Sequence, residues 1–290
     1  MKIADIFKEN KTVFSLEIFP PKKAASVDVI YETLDGLKGI SPDFISVTYG
    51  AGGNRADMKT CEICSIIKNK YNITPMSHLT CVNSSKDDID YIAQKLAENG
   101  IENILALRGD INPDIPPKND FKYASELTKY LKEKTNMGIS GACYPEVHSE
   151  CESMQKDIEN LRIKVDNGCE HLISQLFFDN DAFFDYIEKV RAAGINVPIE
   201  AGIMPVTNKS QIERMVAMCG ASIPQKLAKI INRYGDDQTA MLDAGIAYAV
   251  SQIIELIASG VDGIHLYTMN NPYVANKIYD AVSSIRRASK

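Results

Sequence analysis

The chain has 290 residues, enough for one large domain or two small ones. Hydrophobic residues make up 45% and charged residues 24%, an ordinary balance for a globular protein. The net charge of −6 and pI of about 5.4 argue against a general nucleic-acid or membrane-surface binder, although a local pocket can still be positive enough for an anionic cofactor.

Met1 to Lys11 is amphipathic and lacks the apolar stretch and small-residue cleavage site of a secretory signal. No apolar run is expected to reach the roughly 20 residues that cross a bilayer. Seven cysteines, an odd number, are read as reduced thiols, which points to the cytoplasm.

From there the chain alternates β-like runs with amphipathic helical stretches. Strands are expected at Val13–Ile18, Asp43–Thr48, Pro75–Thr80, Asn103–Leu107, Ile139–Tyr144, His171–Phe177, Pro198–Ile203 and Gly263–Tyr267. Most lie roughly thirty residues apart, as in βα units. Ile89, Ile92, Ala93, Leu96 and Ala97 recur at helical spacing before Asn99-Gly100, and Lys156–Asp166 repeats the pattern before Asn167-Gly168. The longer gap before the last strand holds extra helix around Gln211–Met218, Pro224–Tyr234 and Asp237–Ser259. No linker or low-complexity segment divides residues 1–290. The expected fold is α/β, one (β/α)8 TIM barrel with extra helices before the last strand; a doubly wound sheet is the alternative.

In such a barrel chemistry collects at the C-terminal ends of the strands. Strand one reads Val13-Phe14-Ser15-Leu16-Glu17-Ile18-Phe19-Pro20-Pro21, and alternation sets Val13, Ser15 and Glu17 on one face. A lone carboxylate between apolar neighbours is costly unless used. Desolvation is expected to raise its pKa and make it a proton donor near neutral pH; a structural ion pair is the competing reading. Strand two ends Ser46-Val47-Thr48-Tyr49 and runs into a glycine-rich turn, Gly50 to Gly53, where backbone can approach a ligand. That turn lacks dinucleotide-fold GxGxxG spacing. Strand three carries His78 and Thr80, strand four ends Arg108-Gly109-Asp110, and strand five ends Tyr144-Pro145-Glu146-Val147-His148. Strand six contributes Gln175, and strand eight ends His265-Leu266-Tyr267-Thr268-Met269-Asn270. Seven strand ends with polar groups on one rim describe a polar cup over an apolar barrel.

These motifs, from Ser15-Leu16-Glu17-Ile18-Phe19-Pro20-Pro21 through Leu107-Arg108-Gly109-Asp110 and Tyr144-Pro145-Glu146-Val147-His148 to Tyr267-Thr268-Met269-Asn270, resemble the bacterial methylenetetrahydrofolate reductases, in order, from about residue 10 to 285. The resemblance implies the catalytic barrel only, so control by S-adenosylmethionine through a separate regulatory domain is not expected. It implies FAD held without covalent attachment, with FMN as the alternative, and NADH or NADPH as electron donor. It implies ping-pong reduction of 5,10-methylenetetrahydrofolate to 5-methyltetrahydrofolate with Glu17 as general acid. Asp110 falls near flavin and folate; Gln175, Gln211 and Tyr267 fall on substrate-contacting positions. Thr48, Tyr49, His78, Arg108, Gly109, Tyr144, His148, Asp157, Asn160 and Lys164 fall on flavin-contacting positions. No metal and no nucleic-acid or membrane partner is implied, and a homo-oligomer is expected.

Three positions depart from the family. Asn271 stands where relatives carry arginine, Ile163 replaces a basic residue beside Lys164, and Met215 replaces an aromatic. Cys61-Glu62-Ile63-Cys64 is a CxxC, read as two helix cysteines, with contact to an iron–sulfur partner as the sharper alternative. Two rival functions remain: a barrel within a larger anaerobic redox complex fed by a protein partner, and a flavin-free folate-dependent methyltransferase.

Overall fold

Period-two alternation is what builds the barrel. On β1 (Val13–Ile18), Phe14, Leu16 and Ile18 join the large apolar cluster between strands and helices, whereas Val13 joins a separate cluster with Phe44, Met76, Leu105 and Ile173 inside the barrel. The computed structural model describes residues 1–9, 11–21, 28–49, 59–111 and 118–289. Within them β2 (Phe44–Val47), β3 (Thr74–Thr80), β4 (Asn103–Leu107), β5 (Gly138–Cys143), β6 (His171–Ser174), β7 (Ile199–Ile203) and β8 (Gly263–Tyr267) follow β1 in chain order around a closed barrel. All adjacent pairs are parallel, and β1 closes on β8. The closed barrel replaces the doubly wound alternative.

Helices cover the outside: α2 (Asp28–Gly36), α3 (Lys59–Tyr71), α4 (Lys86–Glu98), α5 (Ala124–Lys134), α6 (Met154–Asp166), α7 (Asn180–Ala192), α10 (Gln238–Ala258) and α11 (Pro272–Ala288). Short polar caps start several of them, such as Ser85 on α4, Ser153 on α6 and Asn271 on α11, each accepting a hydrogen bond from a first-turn amide. The two extra helices, α8 (Lys209–Cys219) and α9 (Gln225–Tyr234), build a second apolar cluster over Leu176, Phe178, Met204 and Val206. The N-terminal end of the barrel is plugged by α1 (Ile3–Ile6) and a 3-10 turn, Phe7–Glu9. Ile3 and Ile6 pack on the interior cluster, Phe7 stacks on His171 with ring centroids 4.9 Å apart, and the Asn103 amide holds Ile3 N and Met1 O, each at 2.9 Å.

Two expectations need correction. α10 is 21 residues long and, by length and composition, apolar enough to cross a bilayer. It packs against α7, α9, α11 and β7, and its buried Gln252 bonds Phe177 O and Asn180, so one face of it is part of the barrel's outer helical layer. β6 stops at Ser174, three residues before the expected end at Phe177.

The register decides what meets inside. Ser15 lies opposite His265 across β1 and β8, Glu17 opposite Tyr267, and Glu200 opposite Gly263. Glu17 therefore stands at the C-terminal rim, with polar residues stacked beneath it.

Candidate active site

A cavity of about 710 Å³ opens at the C-terminal rim, with Glu17 among its lining residues. That is the size of an ordinary small-molecule site. The Glu17 backbone is pinned from β8, since Thr268 Oγ1 and Thr268 N both donate to Glu17 O, at 2.6 and 3.3 Å. Its carboxylate Oε2 lies 3.4 Å from His265 Nε2 and 3.5 Å from His78 Nε2.

Burial alone pushes the Glu17 carboxyl up, as the sequence suggested, but the His265 hydrogen bond, the neighbouring histidines and Ser46 outweigh it and leave it below its ordinary value. His78 is itself pushed down to about 4 by burial, so at neutral pH it carries no charge, and His265 and Ser46 carry the effect there. The expected rise in the Glu17 pKa is thus overturned by partners on strands eight and two.

The other rim residues fall into two groups. Thr48, Tyr49, His78, Arg108, Gly109, Asp110, Tyr144, His148, Gln175 and Tyr267 all line the same cavity as Glu17. Arg108 is held in a fork by Glu150 rather than by Asp110, with Nη2 2.7 Å from Oε1. Gly109 has φ +83°, and a Cβ there would come 2.9 Å from Thr80 Cβ. His148 meets the Tyr144 ring edge-on at 4.6 Å. Gln175 turns its Oε1 onto Leu176 N at 2.9 Å, and Tyr267 donates its hydroxyl to Ser174 O at 2.8 Å.

Four expected contacts are not among the residues lining that cavity. Asp157, Asn160 and Lys164 stand behind the fifth strand end on α6: Asp157 accepts from His148 N at 2.9 Å, Asn160 reaches Cys151 Sγ, and Lys164 donates to Ala142 O. Gln211 lies on α8 beside a separate shallow groove that it shares with Met215. The turn from Gly50 to Gly53 lies outside the described residues.

The profile of the methylenetetrahydrofolate reductase family matches residues 2–283. The chain belongs to this family. It is 36% identical over 256 residues to the 5,10-methylenetetrahydrofolate reductase of Escherichia coli, covering 88% of this chain and 86% of that one. It is also 36% identical over 289 residues to methylenetetrahydrofolate reductase (NADH) 1 of Arabidopsis thaliana. The chain spans about half the length of the plant and fission-yeast relatives it matches, 48% and 46%. Among solved structures, an uncharacterized Clostridium thermocellum protein described as binding two copies of 5-methyl-5,6,7,8-tetrahydrofolic acid superposes with a TM-score of 0.68 at 14% identity, covering 99% of this chain and all of that one. At that identity the likeness shows the barrel fold.

The methylenetetrahydrofolate reductase family works with a flavin and a nicotinamide donor, and the cup suits a flat polar ring system. Asn83, absent from the residues expected at the site, lines the cavity with its Oδ1 buried and without a protein partner, an acceptor suited to a ring N–H. Leu107 and Ile173 supply apolar surface, and Tyr144 an aromatic wall. The only sequence signal for Asn83 was its place just after Thr80-Cys81-Val82, past the end of β3.

The departures find structural roles. Asn271 caps α11 by accepting from Val274 N at 3.2 Å, Ile163 is solvent-exposed, and Met215 packs on the cluster beneath α8. Cys61 and Cys64 are both buried in the core against β3 and α4, and burial pushes both thiols up, away from the reactive thiolate. No group of metal-ligating side chains occurs among the described residues. The core position supports the reading of two helix cysteines over an iron–sulfur contact.

Proposed function

We propose that this barrel reduces 5,10-methylenetetrahydrofolate to 5-methyltetrahydrofolate, with Glu17 as the general acid. The observation that carries the reading is Glu17 itself: a carboxyl at the cavity floor, its backbone fixed by Thr268 and its side chain flanked by two histidines. We take the flavin as FAD and the donor as NADH or NADPH, in a cytoplasmic homo-oligomer. A bound flavin would carry the hydride from the donor to the folate carbon.

The residues do the rest. The folate's five-membered ring must open before its methylene carbon can accept hydride. Opening breaks a C–N bond, and the departing nitrogen needs a proton, which Glu17 supplies. The carbon is left cationic, and Asp110 at the rim offers a complementary negative charge. The Gln175 amide, its Oε1 already engaged, presents its N–H groups to the pterin. Tyr267, braced on Ser174 O, walls the same side. Glu17 is ionised in the open cup, so it must gain a proton before each turnover; a filled cup strips water from it and favours the protonated form.

The test is Glu17→Gln, read by half-reactions. NADH should still bleach the flavin, while folate reduction falls by about 10²–10⁴-fold, the range that positioned proton transfer supplies. Folate turnover near the wild-type rate would remove Glu17 from the role. A protein that is colourless and stays so on adding FAD would favour the methyltransferase reading.

A further inference from the structure

Beneath Glu17 the barrel holds a line of polar groups that this chemistry does not use. Glu200, on β7, is completely buried. Its Oε1 lies 2.9 Å from Ser15 Oγ. Ser15 Oγ lies 2.6 Å from His265 Nδ1, and His265 Nε2 lies 3.4 Å from Glu17 Oε2. The line thus runs from the sealed interior to the cavity floor through β7, β1, β8 and back to β1. Room is made for it: a Cβ on Gly263 would fall 2.8 Å from Glu200 Cγ and 3.0 Å from its Oε1.

A carboxyl in that place is expensive as an anion and cheap as an acid. From β6, His171 Nε2 stands 3.2 Å from Glu200 Oε2, but burial pushes His171 down to about 3, so it brings no charge. Ser15 faces Glu200 from β1 and His265 from β8. Farther off, Asp43 and Asp262 at the N-terminal rim are carboxylates and oppose its ionisation. Burial dominates, and Glu200 is pushed up to about 8 despite the opposing pull of His265 and Ser15. At neutral pH it holds a proton, and the line through Ser15 and His265 joins that proton to the cavity floor.

We propose that Glu200 is a proton store and positioning residue for Glu17, which it recharges through Ser15 and His265. The inference rests on the reading of Glu17 as the acid. In the transfer, the Glu200 O–H proton passes to Ser15 Oγ, the Ser15 hydroxyl proton passes to His265 Nδ1, and the His265 Nε2–H proton passes to the Glu17 carboxylate. Three bonds to hydrogen break and three form, and no electron moves. Glu200 ends as a carboxylate, Glu17 as an acid, and His265 as its other tautomer. When product leaves, water re-enters the cup, Glu17 takes up a proton, and the line runs backwards to refill Glu200. The arrangement resolves a conflict at the site. Glu17 is held ionised in the open cup, yet must donate once ligands have shut water out.

The experiment follows the folate half-reaction against pH in wild type, Glu200→Gln and Ser15→Ala. Wild type should hold its rate up to about pH 8, where the store empties, and fall above it. Both variants should be slower at neutral pH by about tenfold or more, and should lose about tenfold per pH unit on the approach to pH 8, because Glu17 must then find its own proton from solvent. Reduction of the flavin by NADH should keep its wild-type rate. Infrared spectra of the ligand-free protein give a second readout: a protonated-carboxyl C=O band at neutral pH that titrates away near pH 8 and is missing in Glu200→Gln. Should a variant fail to fold, the wild-type band alone decides, and its absence at neutral pH overturns the proposal. Wild-type rates and slopes in both variants overturn it too. Glu17→Gln separates the two claims: if that variant keeps the folate step, the acid assignment fails; if it loses the step while the other two behave as wild type, only the store fails.

Discussion

At the scale of single residues, the cup is kept in shape by what is missing as much as by what is present. Gly202 on β7 donates its N–H to Ser174 Oγ at 2.9 Å, and a Cβ there would come 2.3 Å from Ser174 O and 2.8 Å from the Tyr267 hydroxyl. Gly202→Ala must therefore break the Tyr267–Ser174 bond or push β6 away. A loss of about 1–3 kcal/mol in urea unfolding is expected, as for other overpacked interiors, together with weaker folate binding. An unchanged urea midpoint would show that β6 gives way freely. The site was partly legible from the same kind of residue-level signal. Glu17 stood out as a charge amid apolar neighbours, and Glu200, between Ile199 and Ala201, carries that signal equally well. Glu200 lies low on its strand, opposite the first residue of β8, away from the C-terminal rim where barrel chemistry collects. The pKa direction of Glu17 was not legible at all, since His265 and Ser46 reach it only through barrel closure.

At the scale of elements, the alternation of strand and helix could be read closely where a periodic run ended in a turn, as at β1, β4 and β8. It failed where apolar residues continued past the last ladder bond. Leu176, Phe177 and Phe178 look like more of β6, yet Gln175 turns the chain there, and Phe177 stacks on Phe183 of α7 at 4.7 Å. Period cannot tell a strand's tail from an apolar loop buried under helices. α10 shows the converse, a helix predicted within one residue at each end whose apolar surface is used against neighbours. Its Gly245 sits where a Cβ would fall 1.9 Å from Val206 O, so the helix backbone rides directly on the segment leaving β7. In a free helix Gly→Ala gains about 1 kcal/mol of propensity. Here the carbonyl is backbone and cannot swing aside, so the clash should win. Gly245→Ala is expected to lower stability by about 1–3 kcal/mol, and a raised melting temperature would contradict the close approach.

At the scale of the whole molecule, three buried titratable groups give the stability of the protein a pH dependence of definite sign. Glu200 rises from an ordinary 4.5 to about 8, so the folded chain keeps a proton that the unfolded chain releases across that window. Its contribution to stability is full below about pH 4.5 and is lost as pH climbs to about 8. His78 and His171 fall from 6.5 to about 4 and about 3, so below pH 6.5 the unfolded chain binds two protons that the folded barrel refuses. Their effect runs the other way, lowering stability as pH drops. Between about pH 4.5 and 6.5 the two histidines outweigh the one carboxyl, and above 6.5 the carboxyl acts alone. These groups therefore set maximum stability near pH 6.5, with a loss of about 2 kcal/mol on rising to about pH 8, one proton across one and a half pH units. Urea unfolding midpoints across this range should trace that decline in the wild type. In Glu200→Gln the alkaline decline should flatten while the acid side, owned by the histidines, stays. A variant whose alkaline side still matched the wild type would mean that Glu200 is already ionised in the folded barrel, and both its cost and its stored proton would have to be found elsewhere.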